Sequence, residues 1–264
     1  MRMKLLVLYH SGVGNTKLIA NRLNSKLKQT YVTDLFAVEE IGDDFSFKNY
    51  DGYVIGFPTC HTHPSDSILK FINSIDMLKR SKPAYIFTTC GWFSANTLRI
   101  FARLCLNKNI IPVLHQSYRC PATDGTLVAP YIKALFSFEK GLTKKIDNDV
   151  EKIKTAFEGE PSANLPRFKL ISLLNYPNKK IGQLITLKIF LHKDKCIKCG
   201  KCIENCIMNA MNADEENYPV FTKEKCEKCY RCIHHCPNKA LSLSKRKAPK
   251  KLLTEESLYF GDKS

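Results

Sequence analysis

Cys196-Ile197-Lys198-Cys199-Gly200-Lys201-Cys202-Ile203-Glu204-Asn205-Cys206 returns thirty residues later as Cys226-Glu227-Lys228-Cys229-Tyr230-Arg231-Cys232-Ile233-His234-His235-Cys236, and Ala210 returns as Ala240. Two copies of one spacing predict a small unit with pseudo-two-fold symmetry. Each copy reads C-x2-C-x2-C-x3-C. At that spacing the first three thiolates wrap corners of one iron-sulfur cube and the fourth reaches to the neighbouring cube. The expectation is one 4Fe-4S cluster on Cys196, Cys199, Cys202 and Cys236, and a second on Cys226, Cys229, Cys232 and Cys206. Two four-thiolate zinc sites are the competing reading; they account for C-x2-C pairs but not for a third cysteine at the same step in both copies.

In a short exported chain, 12 cysteines would suggest a disulfide scaffold. Here the early apolar run Leu5-Leu6-Val7-Leu8 is too short for a signal-peptide core and leads into a glycine loop. No segment approaches the roughly eighteen unbroken apolar residues of a membrane span. A soluble, cytoplasmic chain whose cysteines hold metal is therefore expected. Over about residues 190–242 the sequence resembles the bacterial-type ferredoxins that carry two 4Fe-4S clusters. It departs from them at Ile207, where proline is usual, and at Tyr230, which replaces the glycine that the first copy keeps at Gly200. The two clusters are thus expected to differ in exposure and potential. Lys195, Lys198, Lys201, Lys225, Lys228 and Arg231 interleave with the ligands and favour reduced clusters.

Upstream, from Lys4 to about Gly159, short apolar runs alternate with amphipathic stretches, the pattern of βαβ units. Strands are expected at Lys4–Tyr9, Tyr31–Ala37, Gly52–Phe57, Ala84–Thr89 and Ile110–Ser117. Helices are expected at Asn15–Leu27, Ser65–Leu78, Ser94–Asn107 and Lys140–Glu158. The predicted fold is α/β, a doubly wound five-stranded parallel sheet, followed by a small α+β two-cluster domain. Residues 1–159 form the first domain, 160–190 a connector, 191–244 the second domain and 245–264 a basic, solvated tail. The connector's apolar stretches Leu170–Leu174 and Ile181–Ile189 read as a linker docked on the first domain rather than an interfacial membrane helix, because Pro177 interrupts them.

After the first strand, Ser11-Gly12-Val13-Gly14-Asn15-Thr16 offers hydroxyls, glycine backbone and a helix N-terminus to a phosphate. Lys17 stands at the third glycine of the dinucleotide fingerprint, and the Walker pattern is missing. The loop resembles the phosphate loop of flavodoxins, a likeness that extends over about residues 1–158 and implies FMN. Loops after three further strands then belong to its site: Pro58, Thr59, Cys60, His61 and Thr62; Thr89, Cys90, Gly91, Trp92 and Phe93; and Cys120 with Asp124. Trp92, the only tryptophan, is the candidate for stacking on the flavin. His61 and His63 read as a metal pair or as pocket lining. Cys60, Cys90 and Cys120 read as redox thiols or as packing, and Cys105 as a buried helix residue.

The whole chain resembles flavodoxin–ferredoxin fusion proteins of anaerobic microbes, which implies electron relay between the clusters, FMN and external partners. The alternative is a flavin-dependent reductase of a small molecule. The formal charge is +16, with 21 basic against 14 acidic residues up to position 158 and 20 against 11 beyond it. Each cluster with its four thiolates and the flavin phosphate adds about −2. The loaded chain stays basic and suits an acidic redox partner. No nucleic-acid-binding pattern accompanies the lysines, so nucleic acid is not expected.

Overall fold

Leu5, Val7 and Tyr9 turn to one face of strand β1 (Lys4–Tyr9), Leu6 and Leu8 turn to the other, and all five are buried. Only a central strand covered by helices on both faces buries both sets of side chains. The computed structural model describes residues 2–42, 44–129, 131–132, 137–170, 188–254 and 258. The strands β1, β2 (Val32–Ala37), β3 (Gly52–Cys60), β5 (Lys82–Cys90) and β6 (Ile110–Arg119) form a parallel sheet in the order β2-β1-β3-β5-β6. The two-residue strand β4 (His63–Pro64) folds back antiparallel on the end of β3.

Helices α1 (Asn15–Leu27) and α5 (Leu142–Phe157) cover one face with Ile19, Leu23, Leu27, Ile146, Val150 and Ile153. Helices α2 (Asp66–Ser74) and α3 (Thr97–Leu106) cover the other with Ile68, Ile72, Leu98, Phe101 and Cys105. Cys105 is fully buried there, as its helical position implies. Most elements differ from the expected bounds by one to three residues at an end, and two departures are larger. Helix α2 stops at Ser74 because Ile75 turns extended, and Leu78 fills the core from a non-helical segment that donates its N–H to Lys108 O (3.1 Å). The segment after β6, expected as an open loop, contains a short helix, α4 (Thr123–Val128).

In the cysteine-rich unit the two copies repeat at the level of the backbone. Strand β7 (Phe190–Leu191) pairs with β10 (Leu241–Ser242), and β8 (Met211–Ala213) pairs with β9 (Pro219–Phe221). Each copy has one helical turn, α6 (Lys201–Glu204) and α7 (Arg231–His234). Left-handed residues recur at Lys198 and Lys228, at Gly200 and Tyr230, and at Asn209 and Lys239. Between the units, Leu165 packs on the α2–α3 side of the sheet, Asn164 N–H donates to Pro112 O (2.8 Å), and Arg99 binds Pro166 O (2.8 Å). Residues 171–187, which hold most of the connector's apolar stretches, lie outside the described residues. Among the described residues no helix is long and apolar enough to cross a membrane.

The tail departs from expectation. Leu253 and Leu258 are buried, and with Val13, Leu18 and Phe138 they form a small apolar cluster on the N-terminal unit. The lysine-rich stretch also contains Leu252, Leu253 and Leu258, and the last two give the N-terminal unit apolar contact that a basic composition does not announce.

Candidate functional site

Because the strands are parallel, the loops after β1, β3, β5 and β6 all emerge at one end of the sheet. In the first, Gly14 caps helix α1 at φ 124°, a region that glycine adopts freely, and its N–H donates to Ser11 Oγ (3.1 Å). Asn15 Nδ2 donates to Pro121 O (2.8 Å) and ties this loop to the one after β6. Thr16 Oγ1 and Thr89 Oγ1 share a hydrogen bond of 2.8 Å, which ties it to the end of β5. After β3 the chain turns tightly through His61 and Thr62, both left-handed at φ 46° and 67°.

These loops enclose a cavity of about 470 Å3. Its walls are Ser11, Gly12, Val13, Asn15 and Thr16; Pro58 to Thr62; Thr89 to Phe93; and Cys120 to Gly125. Of the flavin-loop residues expected from the sequence, Gly14 alone falls outside this lining: it faces a neighbouring groove, where a Cβ would come within 2.9 Å of Leu258 Cδ1. Trp92 stands among the lining residues, 77% exposed. His63 lines an adjoining hollow instead of the cavity itself.

The chemistry of the walls suits a phosphate-bearing cofactor with a planar ring. The volume falls within the roughly 300–1,000 Å3 of ligand pockets. Asn15 lines the cavity, and its Oδ1 is buried without a hydrogen-bond partner among the described residues. Glycine backbone and the start of a 13-residue helix stand on the same side. Burial pushes the Cys90 thiol up to about 11 and raises Cys60 and Cys120 well above the ordinary range, so all three stay protonated near neutrality. Burial first, and then the nearby Lys228 charge, lowers the pKa of His61, which favours a neutral imidazole.

One wall of the cavity comes from the distant end of the chain: Lys228 and Cys229 of the second cysteine repeat. The contact is close. A Cβ placed on Gly12 would stand 3.0 Å from Cys229 Cβ, so the backbone of the first loop lies directly against a candidate cluster ligand. Arg231, two residues on, donates through Nε to Gly12 O (2.7 Å), through Nη2 to Ser11 O and to Glu39 Oε1 (2.9 Å), and through Nη1 to Asn205 O (3.3 Å). Its guanidinium thereby occupies the outward-facing carbonyls of the glycine loop.

Glu227 makes the second tie. Its carboxylate, almost fully buried, accepts from Ser67 N (3.1 Å) and Ser67 Oγ (2.7 Å) and lies 3.1 Å from His10 Nε2. His10 is itself wholly buried, with Nδ1 3.7 Å from Glu39 Oε2, too far for a good hydrogen bond but within ion-pair reach. Burial opposes charge on His10, yet its bond to Glu227 and the two carboxylate charges win and raise its pKa to about 9. Burial likewise works against the carboxylates, and His10 outweighs it, holding Glu227 and Glu39 below the usual range. Farther along, His234 links Thr123 O (3.1 Å, Nε2) to Leu253 N (3.0 Å, Nδ1), joining α4, the second repeat and the tail.

Cys196, Cys199, Cys202 and Cys236 border one hollow, so the fourth thiol comes from the opposite copy. Burial raises the Cys232 thiol well above its ordinary range, and the nearby Cys229, Cys226, Cys206 and Cys202 raise it further. The last sulfur of each copy accepts the same backbone bond, Ala210 N to Cys206 Sγ and Ala240 N to Cys236 Sγ, both 3.2 Å. Four thiols converging without acidic or histidine ligands among them form a soft donor set that suits iron-sulfur chemistry.

Sequence reasoning did not foresee Lys228, Cys229, Glu227, Arg231 or His10 at this junction. The signal was present as broken repeat symmetry: Glu227 stands opposite Ile197, Arg231 opposite Lys201 and His234 opposite Glu204.

Residues 6–109 match the flavodoxin domain and residues 195–251 the 4Fe-4S dicluster domain. A pyruvate synthase subunit, PorD, of Pyrococcus horikoshii is 45% identical over 42 residues, which are 16% of this chain and 40% of that relative. Among solved structures, oxidised flavodoxin 1 from Bacillus cereus aligns at 18% identity over 58% of this chain and 97% of its own, with a TM-score of 0.44. A flavodoxin from the domain Archaea aligns at 19% over 58% and 99%, with a TM-score of 0.40. The flavo di-iron protein of Thermotoga maritima aligns at 12% over 59% and 36%, with a TM-score of 0.42. The chain carries a flavodoxin domain followed by a 4Fe-4S dicluster ferredoxin domain, which imply FMN and two 4Fe-4S clusters respectively.

Proposed function

We propose that this chain relays electrons between external redox partners through two 4Fe-4S clusters and an FMN held in the cavity at the end of the sheet. One observation carries the reading: Lys228 and Cys229 of the second repeat form a wall of the same cavity as the flavodoxin loops, with Cys229 packed on Gly12. Ser11, Gly12, Val13, Asn15 and Thr16 would hold the phosphate, and the loops at Pro58–Thr62, Thr89–Phe93 and Cys120–Asp124 would hold the ring. When bound, a cluster exchanges one electron and FMN one or two, so the pair couples partners of different electron count.

The chain's own residues set the conditions for transfer. Arg231 fixes the glycine loop by its carbonyls, and Glu227 anchors the second repeat on His10 and Ser67, so the donor and acceptor sites cannot drift apart. Lys228 supplies a cation at the cavity wall. On the flavodoxin side of the cavity, the thiols of Cys60, Cys90 and Cys120 stay protonated and offer no thiolate nucleophile.

A second reading, reduction of a small molecule, draws support from the open hollow of about 560 Å3 beside the cavity, which shares Cys60, His61 and Lys228 with it and adds His63, Asp66 and Lys223. Anaerobic reconstitution followed by metal and flavin analysis tests the main reading: about eight iron, eight sulfide and one FMN per chain are expected. Zinc without sulfide, or loss of flavin on gel filtration, would refute it.

A further inference from the structure

The thirty-residue repeat assigns an equivalent to every residue of the second copy that meets the flavodoxin domain. Glu227, Lys228, Cys229 and Arg231 form that contact, and their counterparts are Ile197, Lys198, Cys199 and Lys201. Backbone geometry matches at these positions, with Lys198 and Lys228 at φ 55° and 63° and Gly200 and Tyr230 at 73° and 58°. Their surroundings do not match. Glu227 is 6% exposed whereas Ile197 is 60% exposed, and Cys199 is exposed along with Lys198 and Lys201. A pseudo-two-fold rotation carries the covered face onto this open one.

The chemistry of the open face differs in a directed way. Where Glu227 seeks a buried histidine and a hydroxyl, Ile197 offers an apolar tip. Where Arg231 grips carbonyl oxygens, Lys201 offers a mobile point charge. The segment carries Lys193, Lys195, Lys198 and Lys201 against Asp194 and Glu204. Lys193 is occupied by Glu216 (3.3 Å), and Lys198 is held over the Tyr218 ring at 4.3 Å. An apolar centre ringed by lysines around a candidate cluster ligand is complementary to an acidic surface with an apolar spot at its middle.

Resting on the relay reading, we propose that the first repeat's face around Ile197, Lys198, Cys199 and Lys201 is the docking site for an acidic one-electron redox protein. It uses the surface that the second repeat uses to hold the flavodoxin domain. One electron crosses the contact, the partner's centre and the cluster on Cys196, Cys199, Cys202 and Cys236 changing oxidation state by one in opposite senses, with no proton required. Transient docking and permanent docking thus occupy opposite ends of the dicluster unit.

The test uses the full chain loaded with both clusters and FMN, reduced, and mixed in stopped flow with an oxidised acidic rubredoxin as the probe. The wild-type second-order rate falls as ionic strength rises, and Lys198→Glu with Lys201→Glu lowers it about tenfold at low salt. Reversing Lys48 and Lys144, exposed on the flavodoxin domain, changes it less than about twofold. The gentler pair Lys198→Gln with Lys201→Gln gives an intermediate loss with both cluster paramagnetic signals retained, which separates lost docking from lost cluster. Equal slowing by the Lys48 and Lys144 reversals, or an unchanged rate in the Lys198 and Lys201 variants with clusters intact, overturns the proposal. Internal transfer is read separately, from flavin absorbance after a pulse of one-electron reductant. If it is intact while the rate ignores Lys198 and Lys201, the docking face alone is wrong; if it is missing in the wild type, the relay reading falls and the docking face with it.

Discussion

The two copies of the dicluster unit share ligand spacing, left-handed positions and a sulfur-accepting backbone bond, yet one lies open to solvent and the other is built into a neighbouring domain. The difference resides in the residues between the cysteines. Glu227 and Arg231 carry a charge and a planar fork that His10, Ser67, Glu39 and two loop carbonyls satisfy; among the described residues Ile197 and Lys201 meet no such partners. The cysteine spacing is shared by the two copies, while the residues between the cysteines decide what each copy touches.

That contrast breaks most sharply at Glu227. Replacing it with alanine leaves the His10 charge buried with only the more distant Glu39, a loss of about 3–5 kcal/mol, whereas Ile197→Ala at the exposed equivalent costs less than about 0.5 kcal/mol. Chemical unfolding of both variants, loaded identically, measures the gap; similar losses would mean the copies are energetically alike.

A smaller effect follows from pH, because protonating or neutralising a group costs less than stranding its charge. The raised pKa of His10 means that its contribution to holding the domains together is fully present below 6.5 and is lost as pH rises through about 9. Glu227 and Glu39 act in the opposite sense, their contribution being present above about 4.5, the ordinary carboxylate value, and lost on acidification below it. Thermal stability against pH should therefore decline on the alkaline side in the wild type and flatten there in His10→Gln.

The third expected effect concerns flavin affinity. Arg231→Gln removes charge-assisted bonds to Ser11 O, Gly12 O and Glu39, worth about 1.5–3 kcal/mol, and should weaken FMN binding roughly 10- to 100-fold. Lys201→Gln, the same exchange in the first copy, should leave it within about twofold. Quenching of flavin fluorescence on titration reads both, and equal affinities would show that the glycine loop stands without the guanidinium.

Much of the fold was legible along the chain. The apolar run at Lys4–Tyr9 was legible as a strand and the amphipathic stretch Asn15–Leu27 as a helix, and both form with those bounds. The loops at the strand ends were legible as well, because a parallel sheet sends all of them to one edge, where they do line a single cavity. Short-range periodicity could not reveal helix α4, one and a half turns with no repeat of its own, or the burial of Leu253 and Leu258, which lie in a stretch too short to show a period. Gly14 read as part of the phosphate loop, but its positive φ serves the helix cap and faces Leu258.

Local rules of spacing, alternation and turn chemistry act over a few residues, and for that reason the residue order alone determined the parallel sheet and the glycine loop and led to the expectation of two sets of four thiols. Which repeat meets the flavodoxin domain was decided only by tertiary structure. That choice rests on Arg231 reaching Ser11 and Gly12 across 220 and 219 positions of chain and on Glu227 entering a pocket between His10 and Ser67. Buried charge is tolerated only where partners converge in space, and no pattern along the chain encodes that convergence.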